Sequence, residues 1–308
     1  MSKKILVATA KPFASKAVTE IKNICKQKDY ELVLMENYTE QSELVDAVKN
    51  VDALIVRSDK VTQEVLGNAE NMKVVVRAGA GYDNLDCEAA SAQNIICMNT
   101  PGQNSNAVAE LVLGMMVYMA RGQFNGKSGT ELFGKKIGIH AFGNVGKHVA
   151  RIAIGFGMEV FAFDPFVDEK MMIENGVEPL KTVEELYNIC DYISVHLPST
   201  PKTQKFIDLR LINIMKPNAT IINTARKEVI CEDSLIKVFQ TRSDLRFASD
   251  IAPAKATEMQ EKFENRVYFT PKKMGAQTLE ANVNAGVAAV NQIIAYFENG
   301  DTTFQVNK

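Results

Sequence analysis

The residues Ala141-Phe142-Gly143-Asn144-Val145-Gly146 stand between a strand-like apolar run and a helical one. An acidic residue, Asp164, closes the next strand-like run about twenty residues further on. This spacing is that of a loop cradling the pyrophosphate of a dinucleotide, with the first of its three glycines replaced by Ala141. Gly143 lets the backbone approach the pyrophosphate, whose charge is favoured at a helix N-terminus, where Asn144 and Val145 stand. Gly146 lets that helix lie close on the strand. Asp164 is expected to accept hydrogen bonds from the adenosine ribose and to repel a 2′-phosphate, so NAD is expected rather than NADP. Gly146-Lys147-His148 does not make a mononucleotide loop. The residue five before Gly146 is Ala141, and His148 occupies the position of the magnesium-binding hydroxyl.

Metal chemistry is not expected. The histidines are His140, His148 and His196, none in the last third of the chain. The cysteines Cys25, Cys87, Cys97, Cys190 and Cys231 are scattered, odd in number and without a Cys-x-x-Cys. That pattern predicts reduced thiols, with neither a disulfide framework nor a zinc site. Over 308 residues, 35 basic side chains face 37 acidic ones for a net charge of −2, so no basic field exists to hold nucleic acid or an anionic membrane. A small anionic substrate needs only two or three local cations. Tryptophan is absent and aromatics are 7%, which argues against a binder that stacks single-stranded bases. No apolar run reaches the eighteen or so residues of a membrane span. The run Ile5–Ala10 is too short for a secretory leader. A soluble cytoplasmic protein of about two domains is expected.

The elements that must position these residues alternate along the chain. Strand-like Ile5–Ala8, Glu31–Met35, Ala53–Val56, Val74–Val76 and Ile95–Met98 are interleaved with helical stretches at Ser15–Gln27, Glu40–Val48 and Thr62–Asn68. A long apolar helix is predicted over Ser105–Arg121, with Val108, Leu111, Val112, Met115, Met116 and Met119 at helical spacing. A second series follows: strands Ile137–Phe142, Val160–Phe163, Ile193–Leu197, Thr220–Ile222 and Phe247–Asp250, a helix over Val145–Phe156, and a closing helix over Gln277–Phe297. The fold class is therefore α/β with two doubly wound parallel sheets. The pause at Gly122–Gly134 marks the expected junction.

The chain resembles the D-2-hydroxyacid dehydrogenase family. The motifs that carry the resemblance are Arg57-Ser58, Arg77-Ala78-Gly79-Ala80-Gly81-Tyr82-Asp83-Asn84, Asn99-Thr100-Pro101-Gly102, Ala109-Glu110-Leu111, the loop at Ala141–Gly146, His196-Leu197-Pro198, Asn223-Thr224-Ala225-Arg226, Gly275-Ala276-Gln277-Thr278 and Val306-Asn307. The resemblance implies a substrate-binding domain of residues 1–97 plus 280–308, an NAD-binding Rossmann domain of residues 98–279, and an active site in the cleft between them. It implies NAD-dependent oxidation of 3-phosphoglycerate to 3-phosphohydroxypyruvate and the reverse reduction, the first step of serine biosynthesis. It also implies a homodimer through the 105–121 helix.

Carried over position by position, Arg226 holds the substrate carboxylate and the reacting oxygen, for which a planar guanidinium is suited. Backbone N–H groups of Ala78, Gly79, Ala80 and Gly81, with Arg57, Ser58 and Arg77, take the substrate's anionic side. His196, Leu197, Pro198, Thr203, Thr224, Ala225, Asp250, Gly275 and Ala276 join the loop at Gly143–Gly146 and Asp164 in holding the cofactor, with Asp250 near the nicotinamide amide. Without the resemblance, Asp250 reads equally as a helix cap.

The chain departs from the family at its acid/base. Family members use a His in Thr-Pro-His-x-Gly-Ala, oriented by a Glu five residues beyond the Asp. Here Thr270-Pro271-Lys272-Lys273-Met274-Gly275-Ala276 is one residue longer and lacks a histidine, and Lys255 occupies the Glu position. Counting forward from Pro271 selects Lys272. Counting back from Gly275 selects Lys273, which is preferred. The two losses fit each other: a His needs a carboxylate to fix its tautomer, whereas a lysine has no tautomers and is charged at neutral pH from its reference value near 10.4. A catalytic lysine predicts easy reduction and an alkaline optimum for oxidation. Competing readings are a glyoxylate or hydroxypyruvate reductase of the same family and a non-catalytic NAD(H) sensor. The chain ends one residue past Val306-Asn307, which predicts insensitivity to serine feedback.

Overall fold

Alternation along β1 (Lys4–Thr9) sends Ile5 and Val7 to one face of a sheet and Leu6 and Ala8 to the other, all at 0% exposure. The computed structural model describes residues 2–308. They form two units, one running up to Asn104 and resuming at Thr278–Lys308, the other Ser105–Gln277.

In the first unit β2 (Glu31–Glu36), β3 (Ala53–Val56), β4 (Val74–Arg77) and β5 (Ile96–Asn99) join β1 in a parallel sheet of order β2-β1-β3-β4-β5. One face packs on α1 (Ser15–Gln27) and α12 (Leu279–Asn299), with Ile21, Ala289, Val290 and Ile293 against Ile5, Val7 and Ile55. The other packs on α2 (Gln41–Ala47), α3 (Gln63–Gly67) and α4 (Cys87–Ala92). On α1 the buried residues Ala17, Ile21 and Cys25 repeat every fourth position, the stripe of a one-faced helix. The Thr278 hydroxyl caps the start of α12, and Gly300 at φ +68° ends it in the left-handed conformation.

The second unit opens with α5 (Ser105–Ala120). It continues through β6 (Lys136–His140), α6 (Asn144–Gly155), β7 (Glu159–Phe163), α7 (Glu169–Glu174), β8 (Glu178–Pro179), α8 (Val183–Ile189), β9 (Tyr192–Val195), α9 (Leu209–Asn213), β10 (Thr220–Asn223), α10 (Glu232–Thr241), β11 (Arg246–Ser249), α11 (Ala256–Phe263) and β12 (Val267–Phe269). All seven strands are parallel, in the order β12-β11-β10-β9-β6-β7-β8. The order reverses between β6 and β9, and in such sheets ligands settle beyond the strands' carboxyl ends at that reversal.

Several boundaries differ from those read in the sequence. The strand expected over Ile137–Phe142 stops at His140, because Ala141 adopts φ +80° and leaves the extended region. Phe142 is fully buried all the same, which is why it passes for a strand residue. Gly122–Gly134 lies wholly within the second unit, and the division falls at Asn104/Ser105 and Gln277/Thr278. The short strand β12 was not anticipated. No helix among the described residues is long and apolar enough to cross a membrane.

Candidate active site

The loop after β6 is built as the glycine spacing requires. A Cβ on Gly146 would stand 2.7 Å from the Ala141 carbonyl oxygen and 3.0 Å from Ile139 Cγ2, so only glycine lets α6 lie this close to β6. Above Gly143 nothing lies within 4 Å of a built Cβ, an open approach to the N-terminus of α6 at Asn144 and Val145. Asp164 does more than await a ribose. Its Oδ2 accepts the Phe142 N–H at 2.8 Å and its Oδ1 the Phe166 N–H at 2.9 Å, tying the loop after β7 to the loop after β6. Each oxygen keeps a second lone pair for a ligand hydroxyl. Beside it Phe166 is 95% exposed, a ring that spacing arguments did not single out.

Across the reversal, His196 donates its backbone N–H to the His140 carbonyl at 2.9 Å, which sets the loop after β9 against the loop after β6. The His196 ring lies 2.7 Å from Ser194 Oγ through Nε2. Burial, and secondarily the neighbouring His140, lowers its basicity to about 3, so it faces its surroundings neutral at physiological pH. His140 is enclosed in the core with Nδ1 3.2 Å from the Tyr187 hydroxyl, a packing role. His148 is half-buried on α6. Leu197 and Pro198 continue the loop, which Thr203 fastens by donating its hydroxyl to the Pro198 carbonyl and accepting the Thr200 N–H at 2.8 Å.

At the end of β10 the Asn223 side chain accepts the Ala225 N–H and donates to the Arg226 carbonyl, each at 3.0 Å, and so shapes the turn that presents Arg226. Arg226 is half-buried and donates through Nη1 to the Ala225 carbonyl at 2.9 Å. Thr224 is 6% exposed, and its hydroxyl is buried without a hydrogen-bond partner. A buried hydroxyl is seldom left unpaired, so an incoming polar ligand suits that position. These features together fit a dinucleotide in this unit: the open approach over Gly143, the spare lone pairs of Asp164 and the orphaned Thr224 hydroxyl.

Asp250, at the end of β11, is 1% exposed, and its carboxylate is occupied by the chain itself. Oδ1 accepts the Thr270 hydroxyl at 3.0 Å and the Met274 N–H at 2.7 Å, while Oδ2 accepts the Gly275 N–H at 2.8 Å. This replaces the helix-cap reading and leaves Oδ2 one lone pair for an outside donor. Gly275 and Ala276 are buried and half-buried. Lys272 and Lys273 are exposed beside them. The ammonium of Lys255, at the family Glu position, pairs with Asp233.

The first unit gathers its candidates at the carboxyl ends of β3 and β4. Arg57 donates through Nη1 to the carbonyls of Lys11 (3.2 Å) and Pro12 (2.9 Å) and lies 5.2 Å from the Phe13 ring centroid. Arg77 donates through Nε to the Arg57 carbonyl at 2.9 Å, and its guanidinium fills the space where a Cβ on Gly79 (φ +147°) would stand. That position therefore demands glycine. Ser58 is exposed. One expected contributor drops out: the Ala78 N–H extends the sheet by donating to Val56 O at 2.8 Å. Gly79, Ala80 and Gly81 remain as the stretch for an anion. Asp59 escaped the sequence reading. Buried at 8%, it accepts the Ala10 N–H (2.7 Å), the Tyr38 hydroxyl (2.9 Å) and the Arg57 N–H (3.3 Å), and so holds the loop ends on which Arg57 rides. Its position three residues past the end of β3, where a strand-end carboxylate can fasten neighbouring loops, is the available signal.

Residues 107–272 match the family described as "D-isomer specific 2-hydroxyacid dehydrogenase, NAD binding domain". The chain is 36% identical over 270 residues to D-3-phosphoglycerate dehydrogenase of Methanocaldococcus jannaschii, covering 82% of this chain and 51% of that one. It is 34% identical over 285 residues to hydroxypyruvate reductase of Thermotoga maritima, covering 85% and 90%. Among solved structures, the NAD+-bound 3-phosphoglycerate dehydrogenase of Entamoeba histolytica superposes with a TM-score of 0.90 at 44% identity, covering 100% of this chain and 99% of that one. The chain spans about half the length of the curated phosphoglycerate dehydrogenases it matches. By the extent of these matches, this chain belongs to the D-isomer specific 2-hydroxyacid dehydrogenase family.

Proposed function

We propose that this chain is an NAD-dependent 3-phosphoglycerate dehydrogenase, interconverting 3-phosphoglycerate and 3-phosphohydroxypyruvate at the entry to serine biosynthesis. The observation that carries this reading is Arg226, presented by the Asn223 turn at the end of β10 in the same unit as the open glycine loop. NAD, when bound, supplies the hydride acceptor. Gly143, Asn144, Val145, Gly146 and Asp164 hold its adenosine side, and His196, Thr224 and Asp250 its nicotinamide side. Arg226 pairs with the substrate carboxylate and orients the carbon bearing the hydroxyl. Arg57, Arg77 and the Gly79–Gly81 backbone receive the phosphate.

Lys273, with Lys272 as the alternative, takes the hydroxyl proton in oxidation and returns it to the forming alkoxide in reduction. In the reductive direction an ammonium is already in the donating state. In oxidation the lysine must first give up its own proton to solvent. The double variant Lys272→Ala/Lys273→Ala is expected to lower kcat for reduction at least 100-fold, within the range for loss of a general acid. Turnover within threefold of wild type would overturn the lysine assignment.

A second reading, a hydroxypyruvate reductase, is supported by the Thermotoga maritima relative, whose length the chain matches at 90%. Loss of NADH in the presence of 3-phosphohydroxypyruvate supports the dehydrogenase. Tight NADH binding without turnover on any 2-keto acid would favour a nucleotide sensor. A cytoplasmic homodimer is proposed as well, joined through the 105–121 region. On α5 the exposed line Asn106, Glu110 and Gly114 ends in a glycine whose built Cβ has nothing within 4 Å, room for a second helix to approach. Sedimentation of Gly114→Arg as a monomer, against a dimeric parent, supports this; an unchanged mass overturns it.

A further inference from the structure

We infer that Asp250 is the positioning residue of the acid/base loop, holding the Lys272–Lys273 segment by its main chain. This deepens the proposed function and rests on its reading of a lysine as acid/base. The two lysines follow directly on β12 and Pro271, on an exposed stretch with no helix or strand of its own to fix it. One buried carboxylate ties both of its ends. Asp250 is 1% exposed, and it accepts the N–H groups of Met274 and Gly275, the two residues immediately beyond Lys273, at 2.7 and 2.8 Å. On the near side of the lysines, the Thr270 hydroxyl shares its one proton between the Asp250 carbonyl at 2.7 Å and Asp250 Oδ1 at 3.0 Å. Lys272 lies two residues from Thr270 and two from Met274, and Lys273 three and one, so each is within about 11 Å of chain of an anchor on either side.

Hydrogen bonds from N–H to a buried carboxylate are charge-assisted and among the stronger kinds. Asp250 is itself held at the end of β11 by its N–H to the Asn223 carbonyl, so the clamp and the turn that presents Arg226 share one support. The geometry accounts for the missing glutamate. A histidine must have its ring oriented and its tautomer set, and a carboxylate on the ring does both. A lysine needs only that its stem begin at the right place. Here the orienting carboxylate acts on the backbone below the acid/base rather than on the acid/base itself. The remaining lone pair of Oδ2 lets the same carboxylate receive one N–H from the cofactor side, so the loop and the cofactor are registered on one residue.

Two variants of the full chain test this. Asp250→Asn keeps the shape but presents an amide N–H₂ to one of the backbone donors. Gly275→Ala presses on the same carboxylate without removing it, since a built Cβ stands 3.0 Å from Asp250 Oδ2 and 3.2 Å from Val108 Cγ2. Without cofactor, hydrogen exchange of amides 272–276 is expected to quicken at least tenfold in Asp250→Asn, with a smaller change in Gly275→Ala. Both are expected to lower kcat for reduction, at least 30-fold and about threefold respectively, beyond any rise in KM for NADH that the loss of a nicotinamide-side contact brings.

Unchanged exchange in both variants would overturn the clamp, as would a loss that resides in KM for NADH with kcat preserved. Should Asp250→Asn fail to fold, Gly275→Ala alone carries the decision. The two ideas fail separately. Full turnover in Lys272→Ala/Lys273→Ala would end the lysine reading, whereas an inactive double variant with unchanged loop exchange in Asp250→Asn and Gly275→Ala would end the clamp alone.

Discussion

Asp164 accepts the Phe142 N–H at 2.8 Å, so the acidic residue proposed to recognise a ribose also fastens the loop proposed to receive the pyrophosphate. Loss of this carboxylate therefore strikes cofactor binding twice. Asp164→Ala is expected to raise KM for NADH at least tenfold, about 1.4 kcal/mol, with a smaller effect on kcat. It should also narrow the preference for NADH over NADPH, because the repulsion of a 2′-phosphate is gone. An unaltered KM for NADH would show that neither role matters.

Ala141 holds φ +80° where the dinucleotide loop ordinarily has glycine. An L-residue in the left-handed region costs on the order of 1–2 kcal/mol. Glycine relieves this but brings back about 0.5–1 kcal/mol of unfolded-state entropy. Ala141→Gly is thus expected to stabilise the protein by roughly 0.5–1 kcal/mol, a rise of a few degrees in Tm by the usual scaling. A fall in Tm would contradict the conformational argument.

Stability should depend on pH through two histidines, His140 enclosed in the core and His196 half-buried. Burial lowers His140 to about 4, and burial with the adjacent His140 lowers His196 to about 3, from an ordinary 6.5. Both folded values lie below the unfolded one, so between about pH 6.5 and 4 the unfolded chain binds protons that the folded chain refuses. Stability is then full above pH 6.5 and falls as acid is added, on the order of 1.4 kcal/mol per pH unit for each histidine. The carboxylates held low by their partners, Asp52 and Asp191 among them, add their losses only nearer pH 4 and below. Urea unfolding at pH 7.5, 6 and 5 reads the histidine window, and a flat midpoint across it would contradict the lowered basicity of both rings.

Periodicity and spacing made much of this molecule legible in advance. Helix α1 runs over Ser15–Gln27 and β3 over Ala53–Val56, each as their apolar patterns dictate. Gly146 and Asp164 were readable because a close helix–strand approach and a strand-end carboxylate leave marks at fixed separations. What stayed hidden depends on contacts that are distant in the chain. Asp250 meets Gly275 across 25 positions, and Asp59 meets Ala10 across 49. No local pattern announces either pair. Ala78 is hidden for a similar reason: its N–H goes to Val56 on a neighbouring strand. Phe142 misled because burial alone does not separate a strand residue from a buried loop residue.

Substrate selectivity tests the central claim most directly. NADH consumption should be followed with 3-phosphohydroxypyruvate beside unphosphorylated hydroxypyruvate and glyoxylate. On the proposal that Arg57, Arg77 and the Gly79–Gly81 backbone receive the phosphate, kcat/KM for the phosphorylated acid is expected to exceed the others at least 100-fold, about 2.7 kcal/mol of transition-state discrimination. Equal or reversed preference would contradict the assignment and point instead to a general 2-keto acid reductase.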